Sequence, residues 1–292
     1  MQVLRTTAQM QAYADEQRRK GHRLVLVPTM GTLHAGHLAL VNRARREGDH
    51  VTVSIFVNPT QFSPDEDLAS YPCDFEADCD ALGSTGKVDA VFAPEVDELY
   101  PDGAEAQAIW ITSPELTKYL CGQYRPGHFR GVLTVVLKLF ACCKPHVAVF
   151  GLKDAQQFYL LRRLSHDLAL GIHIAGEPTV READGLALSS RNAYLNSAER
   201  AQAVVLSRAV AQARELMEHG QQQSAPVVAK MTSIIAQAPL ATLQYAEVVR
   251  TDTLVPVKAF SPGDEIMAAV AVYFDRTRLI DNAIVKIPLS QC

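Results

Sequence analysis

Val27-Pro28-Thr29-Met30-Gly31-Thr32-Leu33-His34-Ala35-Gly36-His37 is the stretch on which the fold turns. It starts at the end of a short apolar run, residues 24–27, which Pro28 closes, and leads into a helical pattern over residues 36–46. A strand that passes into a helix through a glycine-bearing turn is the building unit of parallel sheets, whose ligands bind at the carboxyl ends of the strands. Gly31 and Gly36 remove side chains where a phosphate would approach the backbone. The helix N-terminus adds unpaired N–H donors and a positive dipole end. His34 and His37 stand three apart, so on a nascent helix both rings face one way and can donate to charge building on a transferring phosphoryl group. Two other readings stay open for the pair. One is a zinc site, although no third ligand lies close in sequence, and the other is a capping cluster of satisfied histidines. Neither a P-loop nor a G-x-G-x-x-G fingerprint is present, which narrows the ways a nucleotide can be held.

The same alternation repeats outward from this stretch. Residues 51–57 (VTVSIFV) are rich in β-branched side chains and end at Asn58-Pro59. The pattern then predicts a helix over 75–82, a strand over 88–92, a helix over 130–143 and a strand over 146–150. A helix over 154–168 carries Phe158, Leu161, Leu164 and Leu168 at helical spacing, and a fifth strand is expected over 172–175. Strands apolar on both faces, each followed by a helix, predict an α/β fold with a Rossmann-like doubly wound parallel sheet. After Glu177-Pro178 the order changes. Asn196 with Glu199 reads as a capping box opening a helix to about residue 219, stopped by Gly220. A helix over 226–237 and strands over 243–250, 266–274 and 279–285 follow. The expected division is therefore a first domain, 1–178, and a smaller α+β C-terminal domain, 179–292.

Composition bounds the partners. With 28 Lys and Arg against 32 Asp and Glu, the formal net charge of −4 gives no general attraction for nucleic acid or an anionic membrane. The longest apolar stretch, 131–143, is interrupted by Lys138 and is shorter than the roughly 20 residues of a spanning helix. No charged lead, apolar run and cleavage site open the sequence, so no secretory signal is expected. Six cysteines without a C-x-x-C argue against a disulfide framework or a cysteine zinc site and for reduced thiols in the cytoplasm.

H-x-G-H after a first strand is the signature of the nucleotidylyltransferase superfamily, which includes class I aminoacyl-tRNA synthetases. The segments VPTMGTLHAGHLALV, SIFVNPTQF, DLASYP, RPGHFRGV, FGLKDAQQ and LALSSRNAYL follow in that order between residues 27 and 195. Together they closely resemble the pantothenate synthetase (pantoate–β-alanine ligase) family. The C-terminal domain resembles that family through its layout alone.

The resemblance implies roles position by position. Met30, Gly31, Thr32, Leu33, His34, Ala35, Gly36 and His37 would form the ATP loop, with both histidines on the phosphates and His37 as proton donor. Gln61 would hold pantoate near incoming β-alanine; read alone, it is a loop residue at a strand end. Gly151, Leu152, Lys153 and Asp154 would contribute to ATP binding. Lys153 would meet the phosphates, while Asp154 would reach a ribose hydroxyl or simply cap the helix. The family usually carries Glu or Gln where Leu152 stands. Gln157, one helical turn after Lys153, would be the second pantoate amide.

Leu188, Ser189, Ser190 and Arg191 resemble the counterpart of the KMSKS loop, clamping the triphosphate and closing as a lid; the bland alternative is an inter-domain linker. Val180 would border the adenine. Arg125 and Arg130 would attract substrate carboxylates unless they are ordinary surface arginines, and Asp78 is a candidate for the magnesium environment. Cys73 stands where an Arg often follows Tyr-Pro.

The implied chemistry is condensation of (R)-pantoate with β-alanine through a pantoyl adenylate, with Mg2+ accompanying ATP, in a homodimer. The competing functions are another H-x-G-H nucleotidylyltransferase and a non-catalytic nucleotide-binding module.

Overall fold

The computed structural model describes residues 1–63, 68 and 71–289. Asp67, Ala69 and Ser70 of the DLASYP segment lie outside them. In chain order the elements are β1 (Gln2–Leu4), α1 (Thr7–Arg19), β2 (Leu24–Thr29), α2 (Ala35–Glu47), β3 (His50–Ile55), α3 (Phe75–Ser84), β4 (Ala90–Phe92), α4 (Val96–Leu99) and α5 (Cys121–Tyr124). There follow α6 (His128–Cys143), β5 (Val147–Gly151), α7 (Ala155–Asp167), β6 (His173–Glu177), α8 (Ser197–Ala203), α9 (Val205–Glu218), α10 (Ser224–Ile235), β7 (Ala241–Arg250), β8 (Glu265–Phe274) and β9 (Thr277–Lys286).

Six strands form one parallel sheet in the order β1-β4-β3-β2-β5-β6. The order steps outward from β2 in both directions, so the β2–α2 turn lies at a switch point, where such sheets bind ligands. Val25, Val27, Val51, Val53, Val147 and Val149 fill one core with Leu40, Val41 and Ala44 of α2. β7, β8 and β9 form a separate antiparallel sheet. Alternate β8 residues, from Ile266 to Phe274, pack with α9 and α10 in a second core. This is the α/β sheet and smaller α+β part that the residue pattern predicts.

Several details differ from that pattern. Pro28 does not end β2. The β5 ladder reaches only Val25 and Leu26, so a proline at residue 28 forfeits no ladder bond on that side and the strand runs on to Thr29. β1 and α1 have no counterpart in the pattern: β1 is three residues long, and α1 buries only Met10, Ala14 and Gln17. The signal present in the sequence is the Thr6–Gln9 capping box, in which both reciprocal bonds are made. The helix expected to continue to residue 219 is divided at Val204, although its Asn196–Glu199 capping box is present.

Two compact units account for the chain: 1–113 with 125–152 and 160–178, and 179–292 with 114–124 and 153–159. A single boundary near 178 therefore misplaces two segments. Lys153, Asp154 and Gln157 belong with the C-terminal unit because Asn282 Nδ2 donates to the Lys153 carbonyl at 2.9 Å and Tyr159 donates to Glu265 at 3.0 Å. Segment 114–124 joins it because the Gln156 amide, 5 % exposed, donates to the Leu116 and Tyr119 carbonyls and accepts from Gly122 N–H. Among the described residues no helix is long and apolar enough to cross a membrane.

Candidate active site

Within the first unit, the turn after β2 is built on positive φ. Gly31 has φ +85° and Thr32 +53°, an adjacent pair that turns successive N–H groups toward one point. The buried Asp78 carboxylate, in the first turn of α3, occupies that point: Oδ2 accepts from Thr32 N–H at 2.9 Å and Oδ1 from Leu33 N–H at 2.7 Å. A Cβ on Gly31 would stand 2.8 Å from Asp78 Oδ2, so glycine is required both by conformation and by space. Thr32 Oγ1 donates to the Pro72 carbonyl, and Thr29 Oγ1 donates to the Ser54 carbonyl, each at 2.7 Å. Asp78, read as a magnesium candidate, thus serves the loop with both oxygens.

The two histidines cap α2 reciprocally. His34 is the N-cap residue, and its Nδ1 accepts from Gly36 N–H at 3.1 Å. His37 Nδ1 accepts from His34 N–H at 3.3 Å. The ring centroids are 4.1 Å apart. An Nδ1 that accepts a hydrogen bond carries no proton, so each neutral ring holds its hydrogen on Nε2. The capping cluster is present, and the cap fixes the tautomer that makes Nε2 a donor. Among the described residues no three His, Cys, Asp or Glu side chains gather as a metal site.

Gln61 ends a 3-10 turn, Pro59–Gln61, beyond β3. Its Nε2 lies 2.9 Å from Met30 Sδ, which joins the pantoate candidate to the ATP-loop candidate. Its Oε1 accepts from Asn58 Nδ2 at 3.1 Å, and its backbone carbonyl accepts from His128 Nδ1 at 2.8 Å. With Nδ1 carrying the hydrogen, His128 Nε2 accepts from Arg125 at 3.0 Å. The α6 backbone touches this turn: a Cβ on Gly131 would lie 2.3 Å from the Thr60 carbonyl oxygen. Arg130 instead stacks on Trp110, its guanidinium carbon 4.3 Å from the ring centroid. Asn58, Thr60, Tyr100 and His128 support the site and were missed. Asn58-Pro59 reads in sequence as a turn, and nothing in the order of residues joins it to Tyr100.

In the second unit, Lys153, in the 3-10 turn Leu152–Asp154, and Gln157, in the first turn of α7, are half-buried and Asp154 is exposed, with Lys153 Nζ 3.7 Å from Asp154 Oδ2. Gln156 fastens the 116–122 segment, whereas the adjacent Gln157 is on a half-buried face. Residues 180–188 form a small hairpin, with Leu188 N–H donating to the Val180 carbonyl and Glu182 N–H to the Leu186 carbonyl. Arg181 grips the buried Asp281 through two bonds of 2.7 and 2.9 Å, and that carboxylate raises the guanidinium's pKa further. Arg200 binds Glu182 and Asp184, each at 2.7 Å, and holds the Asp184 carboxyl below its usual range. Ser189 then caps a 3-10 turn, Ser190–Tyr194, by accepting from Arg191 N–H. The segment bearing Leu188, Ser189, Ser190 and Arg191 is thus a braced structure rather than a plain linker. Arg181, Arg200 and Asp281 gave no sequence signal, the first and last being 100 residues apart.

The sequence pattern of the Pantoate-beta-alanine ligase family fits residues 2–284. A pantothenate synthetase of Salinibacter ruber is 55 % identical over the whole of both chains, and one of Heliobacterium modesticaldum 47 % over 98 % of this chain and all of that one. The pantothenate synthetase of Thermus thermophilus superposes with a TM-score of 0.89 at 42 % identity, covering 99 % of this chain and 100 % of the other. A pantoate-beta-alanine ligase of Francisella tularensis, solved with beta-gamma ATP and beta-alanine, gives 0.77 at 33 % identity, covering 97 % of each chain. A capped H-x-G-H turn at a switch point, in a chain similar to these proteins along its whole length, places it in the pantoate–β-alanine ligase family.

Proposed function

We propose that the chain joins (R)-pantoate to β-alanine at the expense of ATP. A pantoate carboxylate oxygen attacks the α-phosphorus, and the bond to pyrophosphate breaks, leaving pantoyl adenylate. The β-alanine amine then attacks the acyl carbon, AMP leaves, and the nitrogen gives up a proton. No side chain is alkylated or acylated, so the protein's contribution is positioning and charge neutralisation. The observation that carries this reading is the reciprocal cap of His34 and His37, which sets Nε2–H on both rings at the N-terminus of α2.

In this scheme His34, His37, Lys153, Ser190 and Arg191 neutralise the phosphates. Met30 to His37, Gly151 to Asp154, Val180 and Leu188 to Arg191 hold ATP. Gln61 and Gln157 hold pantoate. Magnesium enters with ATP as part of the substrate, carried by the phosphate oxygens. Free thiols at Cys73, Cys79, Cys121, Cys142 and Cys143 support a cytoplasmic enzyme, and a homodimer is part of the same proposal by family resemblance alone.

Isotope exchange between ATP and pyrophosphate tests the scheme. Exchange that requires pantoate and proceeds without β-alanine is expected. Exchange with no acid present indicates a different nucleotidylyltransferase, and none under any condition a non-catalytic module; either result overturns the ligase reading.

A further inference from the structure

Asn58 is 1 % exposed, and its amide is used on every side. Oδ1 accepts from Tyr100 Oη at 2.8 Å and Thr60 Oγ1 at 3.0 Å, while Nδ2 donates to the Gly131 carbonyl at 3.3 Å and Gln61 Oε1 at 3.1 Å. Turning that amide over would set Oδ1 against the Gly131 carbonyl, two acceptors with no hydrogen between them. Its orientation is therefore determined. So is that of Gln61: its oxygen faces Asn58, and its nitrogen faces the other way, toward Met30 Sδ. A thioether is a weak acceptor, one that an oxygen of a substrate acid can outcompete.

Tyr100, itself 1 % exposed, is held from behind. Its ring stacks on Phe56, and Lys138 Nζ lies 4.4 Å from the ring centroid while donating to the Leu99 carbonyl and Gln107 Oε1. No step of the reaction uses this hydroxyl. Nor is it needed merely to satisfy Asn58, whose Oδ1 also accepts from Thr60.

We propose that Tyr100 is a positioning residue for the acid substrate: acting through Asn58, its hydroxyl holds the Gln61 amide with Nε2 as the group offered to pantoate. The proposal rests on the reading that Gln61 holds pantoate. Two hydroxyls hold Oδ1 while the Gly131 carbonyl holds Nδ2; without the Tyr100 hydroxyl Oδ1 keeps one of its two donors, the amide plane gains freedom to tilt, and the direction of Gln61 is held less tightly.

The test is Tyr100→Phe, which keeps the ring and removes only the oxygen, measured by pantoate-dependent ATP–pyrophosphate exchange alone and combined with Gln61→Ala. The pantoate concentration for half-maximal exchange should rise about fivefold while that for ATP stays within about twofold, the loss of one hydrogen bond being felt by one substrate. On the Gln61→Ala background the same change should add less than about twofold, because a residue acting through Gln61 has nothing left to position. Half-saturation does not depend on the fraction of enzyme folded, so a loss of stability does not obscure the result. If Gln61→Ala alone leaves pantoate half-saturation unchanged, the pantoate assignment of Gln61 fails and the positioning role falls with it. If Gln61→Ala raises it, Tyr100 is overturned separately by any of three results: no pantoate effect, equal effects on both substrates, or the same factor on both backgrounds.

Discussion

Replacing Asp78 with Asn separates a scaffold from a metal ligand. The carboxylate accepts two backbone N–H groups, from Thr32 and Leu33, inside the protein. An amide keeps one acceptor and turns its NH2 toward the other N–H. One charge-assisted bond worth about 1.5–3 kcal/mol is lost, and a buried donor faces another donor, for a total of about 3 kcal/mol. Thr32 compounds the loss, since its left-handed φ of +53° costs about 1 kcal/mol and is held by the same carboxylate. For a chain of this size the melting temperature should fall by roughly 6–12 °C. The loop proposed to hold ATP is the segment released, so KM for ATP should rise more than about tenfold while KM for pantoate moves far less. Differential scanning fluorimetry and steady-state kinetics over a magnesium series read both effects. If excess magnesium restores ATP affinity, Asp78 is a metal ligand; if neither melting temperature nor KM for ATP changes, the loop does not depend on it. Either result refutes the scaffold argument.

His37→Ala should lower single-turnover adenylation about 10²–10³-fold, the usual loss for one preorganised donor at a developing charge, with circular dichroism unchanged; near-normal turnover removes His37 from its role. Asp281→Ala leaves the third-exposed Arg181 guanidinium without its buried partner and should cost roughly 2–3 kcal/mol, below the roughly 3–5 of a fully buried pair; a melting point within about a degree of the parent contradicts this. Acid stability should follow His50 and His146, whose pKa values burial pulls below the ordinary imidazole range. The unfolded chain takes up these protons near pH ~6.5 and the folded chain resists, so their contribution is complete above that pH and is lost as pH falls toward the depressed folded values. Urea midpoints between about pH 7.5 and 5 should decline less steeply for His50→Gln, and an unchanged slope rules out His50 as a source.

What the residues reveal by themselves follows the range of the forces involved. The parallel sheet was legible because each buried strand is a short apolar run and each crossover helix carries its own period of about 3.6 residues. The capped turn after β2 is legible because its parts are contiguous: glycine, histidine and helix start lie within a short span of chain. β1 escaped notice because so short a strand carries no pattern. Gln61 was visible as a family position, but its orientation was not, because that is set by Asn58, Tyr100 and Gly131, which come together only on folding. Asp78 reads in sequence as a candidate for the magnesium environment, and folding adds that its carboxylate accepts from Thr32 and Leu33 N–H. A free carboxylate and one bound by two backbone N–H groups are the same letter in a sequence.

The contact between Gly131 and the turn that carries Gln61 limits how this enzyme can be redesigned. At that point backbone meets backbone, with no Cβ to enlarge or trim. The wall behind the Gln61 turn therefore has a fixed depth, and substitution at 131 can only push the turn away. In the proposed role of Gln61, an acid bulkier or slimmer than pantoate would have to be accommodated on the Met30 side, where the side chain is long, unbranched and able to change rotamer.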